Sequence, residues 1–593
     1  DITDNFQVPL SNTCLFNGHT FTVAISNMLR HVLVSLVLIQ LSTGITIQLP
    51  DGQVEGTKDS TRNGVTYHSF YALRYAQPPV GTLRFKPSKM VEPWEGIYDG
   101  TVEKNVCYQV YEDSYKENED CLFANVYTPV DLSTSFASEL AVMVWIHGGG
   151  FISGAAYQPE GGVGPKFFMD ANVVFVAINY RLGPFGFMSS GDEILPGNLG
   201  LKDQQLALKW VKKNIVYFGG NPDKVTIFGQ SAGSASVSYQ LLSPSSNGLF
   251  RAAIMESGSA LSPWAYQRNQ TEITYRTAQL IDPSFTSRNS SELLEFLQSV
   301  PAAAIDNASL ALSSSIESPA DYQISKGFFY GPVVEAPNAD PFLTELQYGL
   351  FEAGDYNQVP AFIGMTNEES LGLLANGDLS VLWNAYDAQP SILVPFDLHV
   401  TDPGLKQTIG SEIRNFFTEE SGFNNDDATG IKYHSVHDFD KANIKQAELM
   451  SNHSTVWFYQ FSYSGIMGDP KYYVPGCGNV THAEEVNYFF SKWYSDDIPD
   501  NTDMSYFPES DQKVHNRIMA LWTDFAKYLN PTPAEVDEEI FQYITWEPVE
   551  PNEFKYLDIG EDLEVTYGYP KSEKYIFWED LYQKYAVPPY DTF

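Results

Sequence analysis

Three stretches of the chain are unbroken apolar runs rather than alternating ones: "AVMVWIH" (141–147), "VVFVAINY" (173–180) and "VTIFG" (225–229). Continuous runs of this length suit strands covered on both faces of a sheet. Between the last two lies "GNLGLKDQQLALKWVKKNIVYFG", with Leu201, Leu206, Leu208, Val211 and Ile215 at helical spacing. Strand, helix, strand predicts a right-handed parallel crossover. Residues 45–130 read as short strands and turns. Beyond about residue 235 helices dominate, with further strands at "RAAIMES", "VPAFIGMT" and "VWFYQFSY". No linker divides this region, so residues 45–593 read as a single α/β domain.

Composition supports a large core, with 43% hydrophobic and 14% aromatic residues in a chain of 593. The formal net charge of −39 excludes nucleic-acid binding, which needs a Lys/Arg surface. The acid excess is diffuse and reads first as a solvated, secreted surface; the functional alternative is exclusion of anionic substrates. Met28-Leu29-Arg30-His31, then "VLVSLVLIQL", then Ser42-Thr43-Gly44 has the layout of a signal peptide over residues 28–44. Its apolar stretch is too short to span a bilayer. Residues 1–27 then read as a leader or an artefact outside the fold. The C-terminal "YQKYAVPPYDTF" carries no hydrophobic tail for an anchor. These features predict a secreted protein without a membrane anchor.

Cysteine usage agrees. With Cys14 upstream of the signal, Cys107 and Cys121 bracket a polar loop and are predicted to pair, leaving Cys477 as an inert thiol. N-x-S/T sites at Asn269, Asn289, Asn307 and Asn452 predict glycosylated surface positions; a fifth, Asn479, falls close to the expected active centre.

The chemistry concentrates in two small-residue turns. Gly229-Gln230-Ser231-Ala232-Gly233 follows an apolar strand and precedes an Ala/Ser/Val helix start, the layout of a nucleophile elbow. "WIHGGGFISG" sets Gly148, Gly149 and Gly150 at the end of another buried strand, where backbone N–H groups can face a developing oxyanion. A serine nucleophile needs a base, and the base an orienting acid. Of the histidines beyond Ser231, His482 in "CGNVTHAEEVNYFF" sits on a turn between a Gly-rich approach and an aromatic segment. His434 and His437 with Asp438 read as a polar surface segment. No cofactor or metal is implied.

These pieces, with "RYAQPPVGTLRF", "EDCLFANVY", "INYRLGPFGF", "FGGNPDKVTIFGQSAG", "LFRAAIMESGS", "IGMTNEES" and "RIMALWTDFAK", resemble the type-B carboxylesterase/cholinesterase family over residues 45 to about 580. The resemblance implies the α/β-hydrolase fold, a large mostly parallel sheet flanked by helices. It implies a catalytic triad of Ser231, Glu369 and His482 and an oxyanion hole from the backbone of Gly149, Gly150 and Ala232. Two adjacent glutamates, Glu368 and Glu369, fall at the family's acid; the alignment favours Glu369. It further implies ion pairs Arg84–Glu119 and Arg181–Asp203, a supporting Ser257, and the disulfide Cys107–Cys121.

Residues 107–121 lack the tryptophan that binds choline in cholinesterases. Gln230 stands where many relatives have Glu, and "GQSAG" is similar to the elbow of juvenile hormone esterases. The expected substrate is a small hydrophobic ester: juvenile hormone, pheromone, dietary or xenobiotic. The alternative within the same fold is a non-catalytic adhesion or ester-binding protein.

Overall fold

The computed structural model describes residues 44–593 apart from 110–115, 135, 136, 138, 157–162, 315–326, 493–499, 535, 537 and 538. The expected leader, and the expected signal peptide up to residue 43, lie outside the described residues.

Among the described residues thirteen strands form one sheet. In chain order they are β1 (Ile45–Leu49), β2 (Gly52–Ser60), β3 (Thr66–Arg74), β4 (Ile97–Asp99), β5 (Phe123–Thr128), β6 (Leu140–Ile146), β7 (Val174–Ile178), β8 (Gly220–Gln230), β9 (Ala252–Glu256), β10 (Ala361–Thr366), β11 (Val456–Phe461), β12 (Lys555–Ile559) and β13 (Leu563–Tyr567). The spatial order is β1-β2-β3-β5-β7-β6-β8-β9-β10-β11-β12-β13, with β4 pairing β2. From β7 to β12 every neighbouring pair is parallel. Antiparallel strands finish both edges.

The unbroken apolar runs became the central strands because both faces are covered. Along β6, Val142, Val144 and Ile146 join one core with helices α1 (Leu199–Asn214) and α2 (Ala232–Leu242). Met143 and Trp145 point the other way, into a second core. The predicted crossover from β7 through α1 to β8 is present, with β6 lying between the two strands. Three more helices matter for the site: α3 (Asp427–His434), α4 (Lys441–Ser451) and, on the second face, α5 (Glu509–Tyr528). Leu521, Trp522 and Phe525 of α5 fill that second core. Helix α6 (Ser572–Tyr585) follows the last strand. No described helix is long and apolar enough to cross a membrane.

The anticipated side-chain pairs are formed. Arg84 holds Glu119 through two bonds of 2.5 and 2.7 Å. Arg181 donates to Asp203 at 2.6 and 2.7 Å, with Asp203 fully buried. Cys107 and Cys121 are disulfide-bonded. Cys477 is free and half-buried, and burial pushes its thiol up to about 12, which makes it a poor nucleophile. All five N-x-S/T asparagines, Asn479 included, are exposed.

One expectation is overturned. His434, His437 and Asp438 are not a polar surface segment: all three are buried. Between α3 and α4 the helix widens into a π-helical turn over Ser435–Asp440. There the Asp438 carboxylate lies 2.8 Å from His434 Nδ1 and 2.6 Å from His437 Nδ1. Mutual hydrogen bonding is what allows three polar groups to be packed inside.

The contrast between buried and exposed ion pairs gives a stability prediction. Asp203→Asn leaves Arg181 buried without its counter-charge and costs about 3–5 kcal/mol, read as a clear fall in unfolding temperature. Glu272→Gln, which breaks the exposed pair with Arg288, leaves that temperature nearly unchanged.

Candidate active site

Strand β8 ends at Gln230, and Ser231 turns the chain into α2 with φ 60° and ψ −125°. That conformation is costly for a residue with a side chain, on the order of 1–3 kcal/mol. It is held by Ser231 N–H donating to Glu256 O on β9 at 2.8 Å, and by Ala235 N–H donating to Ser231 O at 2.9 Å. The flanking glycines answer to β6. A Cβ on Gly229 would stand 2.5 Å from Ile146 O, and one on Gly233 would stand 2.0 Å from the same atom. Only hydrogen fits at either position.

The Gly148–Gly150 loop leaves β6 beside this turn. A Cβ on Gly148 would meet Gln230 O at 2.5 Å and Ser231 Cβ at 3.0 Å. Gly149 (φ 102°) and Gly150 (φ 61°) adopt backbone conformations that favour glycine. The loop is tied by Ile152 and Ser153 N–H groups, both donating to Gly149 O at 3.0 Å. Ala232 is the first residue of α2, so its N–H has no partner within the helix. His147 stacks on Tyr180 with ring centroids 4.4 Å apart, and burial lowers its pKa to about 4. It is therefore a neutral, structural ring.

Glu369 follows β10 and His482 follows β11, both beyond the C-terminal ends of parallel strands, where such sheets place their sites. His482 Nδ1 lies 2.5 Å from Glu369 Oε2. Glu369 Oε1 accepts from Ser257 Oγ at 2.6 Å and from Thr366 N–H at 2.7 Å. Burial alone would push this carboxyl up, but the His482 ring and these donors outweigh it and hold Glu369 below the usual carboxylate range. The neighbouring Glu368 faces elsewhere: its Oε2 accepts from Gly478 N–H at 3.0 Å. Of the two glutamates, Glu369 is the one that meets His482.

The other buried acids nearby behave differently. Burial pushes Glu256 well above the carboxylate range, and Glu485 to about 8 with help from the Glu369 charge. Trp522 Nε1 donates to Glu256 Oε1 at 2.7 Å. Near neutral pH Glu369 is therefore ionised, while burial favours the protonated forms of Glu256 and Glu485.

Three features were not read from the sequence. The side-chain amide of Gln230 sits with Nε2 3.0 Å from His482 Nε2. With Nδ1–H donating to Glu369, this amide donates to the free ring nitrogen. Second, the π-helical turn presents Phe439 to the His482 ring at 4.6 Å between centroids. Third, Trp264 links an aromatic wall, with Phe151 at 6.4 Å, Phe328 at 6.2 Å and Phe439 at 5.8 Å. Phe328 also packs over Gly150. The His-x-x-His-Asp spacing at 434–438 was the available signal for the π-helical turn, since it puts His434 and Asp438 on one helix face.

A sequence model of the carboxylesterase family matches residues 43–578. Esterase FE4 of Myzus persicae is 35% identical over 526 residues, covering 85% of this chain and 87% of that protein. Venom carboxylesterase-6 of Apis mellifera is 36% identical over 429 residues, covering 70% and 74%. The crystal structure of juvenile hormone esterase from Manduca sexta, with OTFP covalently attached, superposes with a TM-score of 0.78 at 25% identity, covering 91% of this chain and 100% of that one. The strained serine turn, the glycine loop and the paired Glu369 and His482 thus sit in a chain that belongs to the carboxylesterase family.

Proposed function

We propose that this carboxylic ester hydrolase works through Ser231, His482 and Glu369 as nucleophile, general base and orienting acid, and that it is secreted. The observation that carries the assignment is His482. One ring nitrogen lies 2.5 Å from the ionised Glu369, and the other lies 3.0 Å from the side chain of the residue preceding Ser231. His482 takes the Ser231 proton as Oγ attacks the ester carbonyl, then returns it to the leaving alcohol. Backbone N–H groups of Gly149, Gly150 and Ala232 receive the oxyanion of the tetrahedral intermediate. Water activated by the same histidine then releases the acid from Ser231.

Gln230 adds a step. Its amide N–H occupies the ring nitrogen that must accept the serine proton, so the side chain has to swing off His482 before the base can act. An amide there also leaves no negative charge to attract a cationic alcohol group. Together with the wall of Phe151, Trp264, Phe328 and Phe439, this favours neutral apolar esters such as juvenile hormone, pheromone, dietary or xenobiotic esters. Secretion is supported by the Cys107–Cys121 disulfide and the exposed N-x-S/T sites, and by the venom relative.

Protein beginning near Ile45 is expected to hydrolyse a short-chain chromogenic ester. Ser231→Ala lowers kcat by about a millionfold while leaving the unfolding temperature in place. A folded native protein with no turnover would instead favour the adhesion or ester-binding alternative. Glu369→Gln lowers kcat by about 10³–10⁴, whereas Glu368→Gln has a far smaller effect; the reverse ranking would reassign the acid.

Gln230→Glu puts a carboxylate beside the imidazole and favours its charged, inactive form. The acid limb of the pH–kcat/KM profile then moves to higher pH, and by more than in Gln230→Leu, which only removes the amide donor to the neutral ring. A profile unmoved by the glutamate would show that residue 230 does not face the base in solution.

A further inference from the structure

Behind the catalytic acid lies a second, polar cavity of about 290 Å³, outside the ester site. Its lining includes Asn367, Glu368 and Gly478 from the site's own loops, and Lys432, Lys571 and Lys574. Lys432 lies in the last turn of α3, Lys571 immediately precedes α6, and Lys574 lies in its first turn. In a chain with 35 basic against 74 acidic residues, three lysines converging on one cavity with a single lining glutamate is a local reversal of sign. All three are half-buried, so their charges are not fully screened by water.

The three are not equivalent. Lys571 is committed to Asp440 at 2.6 Å and stands 4.0 Å from Glu368 Oε1. Among the described residues Lys432 and Lys574 form no ion pair. Burial lowers the pKa of Lys574, and the charges of Lys432 and Lys571 lower it further against the opposing pull of Glu368 and Glu573. Of the other polar lining residues, Asn367, Gln460, Tyr556 and Glu368, the last is the acid. It is 3% exposed, and its Oε1 accepts no hydrogen bond; Lys571 Nζ at 4.0 Å is beyond hydrogen-bond reach. The wall thus offers two uncommitted cations and one buried acceptor that lacks a donor.

We infer that this cavity binds a small oxyanion that also carries an O–H donor, with Lys432 and Lys574 on the negative oxygens and Glu368 Oε1 accepting the hydroxyl. Hydrogen phosphate, a phosphate monoester in its protonated form, or a hydroxylated polycarboxylate has this chemistry; a fully ionised sulfate does not. The volume is at the lower end of small-molecule sites, roughly 300–1,000 Å³. The cavity adjoins the ester site through chain neighbours and charge: Glu368 precedes Glu369, Asp440, the partner of Lys571, follows Phe439, which packs on His482, and the Glu369 charge acts on both Lys571 and Asp440.

Titration calorimetry on the protein from Ile45 onward tests this with inorganic phosphate, citrate and sulfate at constant ionic strength. Binding is the readout, so the result does not depend on the esterase assignment. Saturable binding at one site per chain is expected for phosphate, citrate or both, with sulfate weaker. Phosphate alone identifies the phosphate class, citrate alone the hydroxycarboxylates. Lys432→Gln with Lys574→Gln weakens binding by roughly tenfold or more without changing ester turnover in anion-free buffer. Should the double variant fail to fold, Lys574→Gln alone carries the comparison. Absence of saturable binding for both phosphate and citrate, sulfate binding as tight as phosphate, or a folded variant binding as tightly as the native protein overturns the assignment.

Discussion

The site depends on how closely two parallel strands approach at their C-terminal ends. Ile146 O of β6 lies where a side chain on either Gly229 or Gly233 would have to go. Removing both side chains lets the serine turn fold down against β6, and the φ of 60° at Ser231 is the cost of reversing direction there. The same closeness lays Gly148 on Ser231. The glycine loop therefore lies beside Ser231 as a consequence of the pairing of β6 with β8, in register Ile146 to Gly229. The 2.8 Å bond from Ser231 N–H to Glu256 O ties the turn to the next strand as well, so strain at one residue is shared by three strands.

Charge is placed with similar economy. Several carboxyls lie buried around the serine turn, yet Glu369 is the one given the donors that keep it ionised: a histidine, a serine hydroxyl and a backbone N–H. Glu256 and Glu485 are buried with fewer donors and hold their protons instead. In the proposed mechanism an orienting acid is useful only while it is charged, because it would stabilise the imidazolium formed as Ser231 gives up its proton. Protonated neighbours do not compete for that charge, and they spare the region the repulsion of several carboxylates packed together.

The parts of this arrangement that were legible in the sequence are those set by backbone shape. Unbroken apolar runs located β6, β7 and β8, and glycine spacing located the serine turn and the donor loop, because both patterns are local consequences of burial and steric room. The choice between Glu368 and Glu369 rested on resemblance; the two differ in what lies across from them, His482 for one and Gly478 N–H with Lys571 for the other. Strands β12 and β13 went unread because short, half-polar strands at and next to a sheet edge lack the apolar signal. His434, His437 and Asp438 looked solvated for a related reason. Their polarity is satisfied by one another inside the protein, and sequence reports the polarity without the partner.

That buried trio also bears on how the site is held. A π-helical turn inserts extra backbone into a helix and is costly unless something fixes it. Here Asp438 is clamped between two histidines, Trp264 Nε1 donates to Asp438 O at 2.8 Å, and Asp440 is paired to Lys571. Phe439, between the two aspartates, has little freedom left, and it is the residue that packs on His482. The imidazole is thus fixed on one side by an ionised carboxylate and on another by a ring whose backbone is pinned at both neighbours. Gln230, by contrast, meets the ring through a neutral hydrogen bond from its side-chain amide at 3.0 Å. These fixed members set the geometry of the site, and in the proposed mechanism the departure of Gln230 from the ring sets when the base is available.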